Sequence, residues 1–107
     1  MLNIINYDTT LWLDINGWLI TDVMDVNAGT PKDYYRFKFK KDNDEITMCL
    51  HKKGVIAKSD GKSLLYTLEG YAKYGSIKKT IQISKDSVQS RMAIAFDAML
   101  FKLLHES

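Results

Sequence analysis

Few side chains of this sequence could carry out catalysis. The chain holds two His and one Cys among 107 residues, and Cys49 and His51 would project from the same face of a strand. Such a pair could act as a thiolate–imidazole couple or supply part of a metal site, but a metal site normally needs about three or four protein ligands. We therefore expect Cys49 to be a small buried side chain and His51 to lie at the rim of the core.

The acidic residues suggest a second kind of chemistry. Asp14, Asp22 and Asp25 would bind Mg²⁺ if a hairpin brought their carboxylates together. Acids at alternating strand positions are more often the solvated face of a strand, and the sequence has no glycine-rich phosphate loop. The sequence thus favours a non-enzymatic protein with no cofactor and no metal, and a carboxylate-based metal-dependent enzyme is the least favoured alternative.

Basic and aromatic residues alternate in the segment YYRFKFKK, residues 34–41. As a strand, this segment turns Tyr35, Phe37 and Phe39 towards a core and its basic side chains outwards. Lys neutralises phosphate and aromatic rings stack on unpaired bases, although the same pattern is also typical of an ordinary solvated strand face. The predicted nucleic-acid-binding residues are Tyr34, Arg36, Lys38, Lys40, Lys52, Lys53, Lys73 and Lys78.

Charge is distributed unevenly along the sequence, although the net charge is only +2. Residues 1–33 carry one Lys and five Asp, whereas residues 34–85 carry twelve Lys or Arg and five acids, a local net charge of +7. This separation predicts one negative and one positive surface if the fold keeps the two segments apart. Binding of single-stranded DNA or RNA is therefore the first predicted function.

A protein-interaction module is an alternative of about equal weight. A small non-catalytic domain with exposed aromatic rings and opposite charged poles suits docking on another protein. The predominance of Lys over Arg is typical of an AT-rich coding sequence, as in low-GC bacteria or their phages. A phage-encoded inhibitor that docks on a host protein complex is one form of this alternative.

The elements that must position these residues change type once along the chain. Hydrophobic residues recur at every second position through residues 1–84, which predicts strands. Asn16–Gly17 indicates a hairpin turn that joins strands at 11–15 and 18–26, the second of them with a bulge or two mixed faces. Beyond these strands the hydrophobic period becomes 3.6, which predicts a helix over residues 86–105.

This order of elements predicts a single α+β domain spanning residues 1–107. An antiparallel twisted sheet or small open barrel of about six to seven strands would be covered by the long C-terminal helix. The helix has a wide apolar stripe for this packing. The stripe consists of Val88, Met92, Phe96, Met99, Leu100, Leu103 and Leu104.

A second apolar patch lies on the opposite side of the predicted helix, at Ile94, Ala98 and Phe101. A helix packed on one sheet does not need this patch. Either the sheet curls around the helix or a second molecule covers it, and we expect a homodimer through these three residues.

The sequence also predicts where the protein resides. No stretch approaches the ~18 consecutive apolar residues of a transmembrane helix, and the first residues lack the basic segment of a secretory signal. A single Cys gives no disulfide framework, which fits a reducing compartment. We expect a cytoplasmic protein with no membrane partner.

Overall fold

A computed structural model describes residues 4–27, 29–30, 33–55, 63–84 and 88–106. Within these ranges the side chains at 52–55, 63–64, 88–89 and 106 are not described. The elements in chain order are α1 (Tyr7–Ile15), β1 (Leu19–Val26), β2 (Tyr34–Lys41), β3 (Asp44–Val55), β4 (Ser63–Ala72), β5 (Gly75–Ser84) and α2 (Val88–Glu106).

The five strands form one open antiparallel sheet in the order β1-β2-β3-β4-β5. Each strand pairs with its neighbour in the sequence, and α2 packs on β4 and β5. The predicted α+β class, with an antiparallel sheet and a C-terminal helix, is therefore confirmed. The described residues form five strands, fewer than the about six to seven that were predicted.

The prediction of a strand at 11–15 was wrong, because these residues belong to α1. The Trp18 N–H donates to the Leu13 carbonyl at 2.8 Å and the Gly17 N–H donates to the Asp14 carbonyl at 3.1 Å. Gly17 has a φ of +83°, so these bonds form a Schellman cap at the end of the helix. A type I′ hairpin turn and a helix cap both need a residue with positive φ, which is why Asn16–Gly17 was misread.

The hydrophobic core lies on one face of the sheet, beneath α2. Phe37 and Phe39 of β2 are buried, as predicted, and meet the buried Phe96 of α2. The rings of Phe37 and Phe96 are 4.9 Å apart in an edge-on arrangement, a geometry that adds about 0.5–1.5 kcal/mol beyond the burial itself.

The described positions of the predicted helix stripe are buried, which confirms the inward face of α2. They are Met92, Phe96, Met99, Leu100, Leu103 and Leu104. The side chain of Val88 and residues 86–87 lie outside the described part of the chain.

Gly70 on β4 allows α2 to approach the sheet closely. A Cβ atom at Gly70 would lie 2.5 Å from Leu103 Cδ1 and 3.1 Å from Met99 Sδ. Carbon atoms in contact are normally about 3.5–4.0 Å apart, and Leu103 is itself only 1% exposed. A larger residue at position 70 would therefore press on α2.

The short helix α1 packs against the flank of α2. The Thr9 hydroxyl, which is buried, donates a hydrogen bond to the carboxylate of Asp97. The Trp12 ring meets the Phe101 ring edge-on, with 5.0 Å between the centroids. The sequence suggested that a curled sheet or a second molecule would cover the patch that contains Phe101, but α1 of the same chain covers this part of it.

We predict that Gly70→Ala destabilises the fold by about 1–3 kcal/mol, the usual cost of overpacking an interior. Combining it with Leu103→Ala should give a smaller loss than the sum of the two single losses, because the shorter side chain makes room for the new methyl group. Urea unfolding of the single and double variants measures this coupling. Strictly additive free energies would contradict the close approach.

Candidate binding surfaces

The predicted basic row lies on the sheet face turned away from the core. This outer face is defined by β2 residues 34, 36, 38 and 40 and by the residues paired with them on neighbouring strands. The register runs from Arg36 across Cys49 and Glu69 to Lys78 on β5. The fold thus brings Arg36 and Lys78 to the same face as Lys38 and Lys40.

Acidic residues are interleaved with the basic residues of β2 on the outer face. Asp22 of β1 pairs in register with Lys38, and its carboxylate lies 2.9 Å from the Arg36 guanidinium. Glu45 of β3 pairs in register with Lys40. The outer face is therefore a mixed-charge surface rather than a continuous positive one.

Glu69 is the centre of a polar cluster on the outer face. The Tyr71 hydroxyl donates a hydrogen bond to its carboxylate, Lys78 Nζ lies 3.8 Å away and His51 Nε2 lies 3.9 Å away. The hydrogen bond to Glu69, with smaller effects of burial and charge, raises the pKa of Tyr71 to about 12. Tyr71 is thus a neutral hydrogen-bond donor, and the Glu69 carboxylate already has partners within the chain.

Cys49 lies beside this cluster and is buried, which confirms the expectation from the sequence. Burial, followed by the charge of Glu69, raises the pKa of its thiol. Because the thiolate is the reactive form, this environment makes Cys49 a weak nucleophile at neutral pH.

Of the other predicted nucleic-acid-binding residues whose side chains are described, Tyr34 lies on the outer face and Lys73 lies in a turn. The Tyr34 ring stacks on His51 with 4.7 Å between centroids. Lys73 lies in the turn between β4 and β5, with Nζ 5.8 Å from the Tyr74 ring centroid. The side chains of Lys52 and Lys53 lie outside the described part of the chain.

The three acids considered for a Mg²⁺ site do not converge. Asp14 lies on α1. Asp22 and Asp25 of β1 project from opposite faces of the sheet, because Asp22 pairs with Lys38 and Asp25 with Tyr35. Among the described residues, no group of three His, Cys, Asp or Glu side chains could hold a metal ion.

An apolar surface that the sequence did not predict lies along α1 and β1. We define this α1/β1 surface by seven side chains whose exposed fractions range from 37% to 77%. Four of them, Tyr7, Leu11, Leu19 and Ile20, line one pocket, and exposed apolar patches on soluble domains typically mark interaction sites. The seven residues are Tyr7, Leu11, Ile15, Leu19, Ile20, Val23 and Met24.

A groove with a volume of about 260 Å³ opens within the α1/β1 surface. Buried Leu13 and Trp18 line it together with exposed apolar residues. Thr10 and Asp14 are the polar residues that line it. The groove can therefore receive an apolar side chain, with Asp14 at its margin to meet a positive charge.

The number of apolar residues in this part of the sequence indicates such a surface, but the prediction of a strand at 11–15 did not use it. In the strand predicted at 11–15, Leu11 and Leu13 would share one face, whereas in α1 Leu13 is buried and Leu11 is exposed. The run from Leu11 to Ile20 contains more apolar residues than a single inner face can use. An excess of this kind indicates an exposed apolar surface.

The two edges of the sheet differ in character. The residues described by the structure include no strand that pairs with the outer side of β1 or of β5. β5 exposes Lys78, Lys79 and Thr80, and exposed Lys is a common way to prevent edge pairing. β1 has no Lys; it exposes the apolar side chains of Val23 and Met24 between Asp22 and Asp25, so its edge has acidic rather than basic character.

The three residues predicted as a homodimer interface have different environments. Ile94 and Ala98 are exposed on α2. Phe101 is half-buried and contacts Trp12. The prediction of a homodimer through these residues stays a prediction, with Phe101 already engaged within the chain.

Comparison with protein-family models, with curated proteins and with solved structures finds no match for this chain. Neither described helix is long and apolar enough to cross a membrane. The functional conclusion therefore rests on the geometry of the two surfaces.

We predict that Glu69→Gln lowers the pKa of Tyr71 from about 12 towards the ordinary value of about 10. Since the folded-state pKa is the higher one, the stabilising effect of this hydrogen bond is fully present below pH ~10 and is lost as pH rises towards 12. Difference ultraviolet titration against Tyr71→Phe isolates this phenol, with circular dichroism to monitor the fold. An unchanged pKa in Glu69→Gln would contradict the assignment.

Proposed function

We propose that the protein is a non-enzymatic protein-binding module whose α1/β1 surface docks the apolar side chains of a partner protein. The observation that carries the proposal is the groove between α1 and β1, lined by Leu13 and Trp18 and flanked by exposed Leu11 and Leu19. Burying apolar area stabilises a complex by roughly 25 cal/mol per Å² before the costs of association are subtracted. These side chains are available for such burial without unfolding.

The acidic residues of α1 and β1, of which Asp14 lines the groove, select the chemistry of the partner. Asp8 and Asp14 of α1 and Asp25 of β1 are exposed, and within the described part of the chain they make no ion pair. The aliphatic stem of Lys41 lies beside Gly17 at the end of α1. Because opposite potentials favour association, the partner segment should carry apolar anchors flanked by Lys or Arg.

The shape of the α1/β1 surface favours a polypeptide over a small molecule. Beyond the groove, β1 exposes Val23 on one face of the sheet and Met24 on the other. Small-molecule sites are normally concave and enclose most of their ligand. A surface that extends along a strand suits an extended protein segment better.

Single-stranded nucleic acid binding by the outer face stays a prediction with less support. Asp22, Glu45 and Glu69 are each paired in register with a basic residue, which lowers the local positive potential on which phosphate binding depends. A cytoplasmic location and a phage origin also stay predictions.

The proposal can be tested by selecting a displayed library of random peptides on the immobilised protein. We expect enrichment of peptides that combine apolar residues with Lys or Arg. Synthetic copies should bind wild-type protein and lose about tenfold or more in affinity to Leu11→Asp or Leu19→Asp, because a carboxylate in an apolar interface is costly to desolvate. Fluorescence anisotropy measures the affinities, and circular dichroism checks that each variant is folded.

Ile94→Asp is the matched control, because Ile94 is an equally large exposed residue far along the chain on α2. It should leave peptide binding unchanged. Equal losses in Ile94→Asp and Leu19→Asp, or no enriched peptide, would contradict the proposal. Tight oligonucleotide binding that is lost in the double variant Lys38→Glu/Lys40→Glu would favour the outer face instead.

A further inference from the structure

We infer that the partner segment is basic and binds as an added β-strand along residues 22–26 of β1, on the edge that no described strand pairs with. This inference rests on the proposed function, because the strand would extend from the segment that fills the groove. An added strand is held by main-chain hydrogen bonds, while side-chain pockets provide the specificity.

The local backbone of β1 supports strand addition at 22–26 rather than along the whole strand. The register between β1 and β2 shifts between Ile20 and Asp22, and Asp22 through Val26 then pair without interruption. The hydroxyl of Thr21, the residue at the shift, donates to the Lys38 carbonyl at 3.4 Å. A bulge of this kind ends regular pairing, so it separates the groove end of β1 from the regular segment.

Both sides of this segment offer contacts to an added strand. Val23 projects towards the core side of the sheet and is 37% exposed, while Met24 projects from the outer face and is 46% exposed. Cross-strand pairs between apolar side chains stabilise an antiparallel or parallel neighbour by a few tenths of a kcal/mol up to about 1 kcal/mol each. An alternating apolar sequence in the partner would meet these side chains.

Charge decides between a basic partner and a second copy of this chain. Residues 22–26 of β1 carry Asp22 and Asp25 and no basic residue, so pairing β1 with itself would bring two carboxylates to each face of the junction. Arg36 neutralises Asp22 on the outer face, but within the described part of the chain Asp25 has no such ion pair. Like charges at an interface are unfavourable, whereas a Lys-bearing strand would compensate them.

The inference can be tested with a synthetic peptide of alternating Lys and Val, long enough to span β1, and a matched peptide of alternating Glu and Val. We expect saturable binding of the Lys–Val peptide and affinity about tenfold or more weaker for the Glu–Val peptide. Asp25→Lys should reduce the preference for Lys over Glu. Fluorescence anisotropy at low and moderate salt provides the measurement.

Backbone methylation distinguishes strand addition from anchoring in the groove alone. Two Lys–Val peptides are made, with N-methyl groups either on alternate residues or on the residues between them. In a paired strand one set of N–H groups points at β1 and the other points away, so one peptide should lose most of its affinity and the other should retain it.

Three results would overturn the inference. These are equal affinity of the two methylated peptides, failure of the Lys–Val peptide to bind protein that binds library-selected peptides, and a dimer of the free protein in sedimentation whose amides at residues 22–26 are protected from hydrogen exchange. If selected peptides lose affinity for Leu19→Asp but bind equally well with either set of N–H groups methylated, the proposed function stands and strand addition is rejected. No peptide binding of any kind would reject both.

Discussion

The close packing of α2 on β4 at Gly70 is the contact on which the rest of the arrangement depends. It places Leu103 and Met99 against the sheet backbone and so fixes which side of α2 faces the core. The flank of α2 that carries Asp97 and Phe101 is then directed towards α1. The position of α1 beside β1, and therefore the groove, follows from this orientation.

A single sheet with helices on one side leaves its other face and its edges exposed. The side chains on these two kinds of exposed surface differ in chemistry. The outer face carries paired charges such as Arg36 with Asp22 and Lys78 with Glu69, which suits a solvated surface. The edge at β1 carries apolar side chains instead. This contrast is the physical basis for assigning binding to the edge rather than to the outer face.

Local periodicity predicted much of the fold, since alternation placed Phe37 and Phe39 inside and the 3.6-residue period identified the inner face of α2. The failure at α1 has a local cause, because Leu11, Leu13 and Ile15 satisfy a strand period while Thr9 and Leu13 satisfy helical spacing. The groove could not be predicted from local sequence. It lies against α1, which the Thr9–Asp97 hydrogen bond joins to α2 across 88 residues of sequence.

The proposed binding surface is the α1/β1 surface extended along the β1 edge, and amide hydrogen exchange tests it most directly. The protein is compared free and saturated with a peptide selected from the displayed library. The account predicts slower exchange of the amides in residues 22–26 on binding, with the amides of the opposite edge at 76–82 unchanged. Unchanged exchange at 22–26, with protection instead on β5 or across β2 and β3, would contradict it.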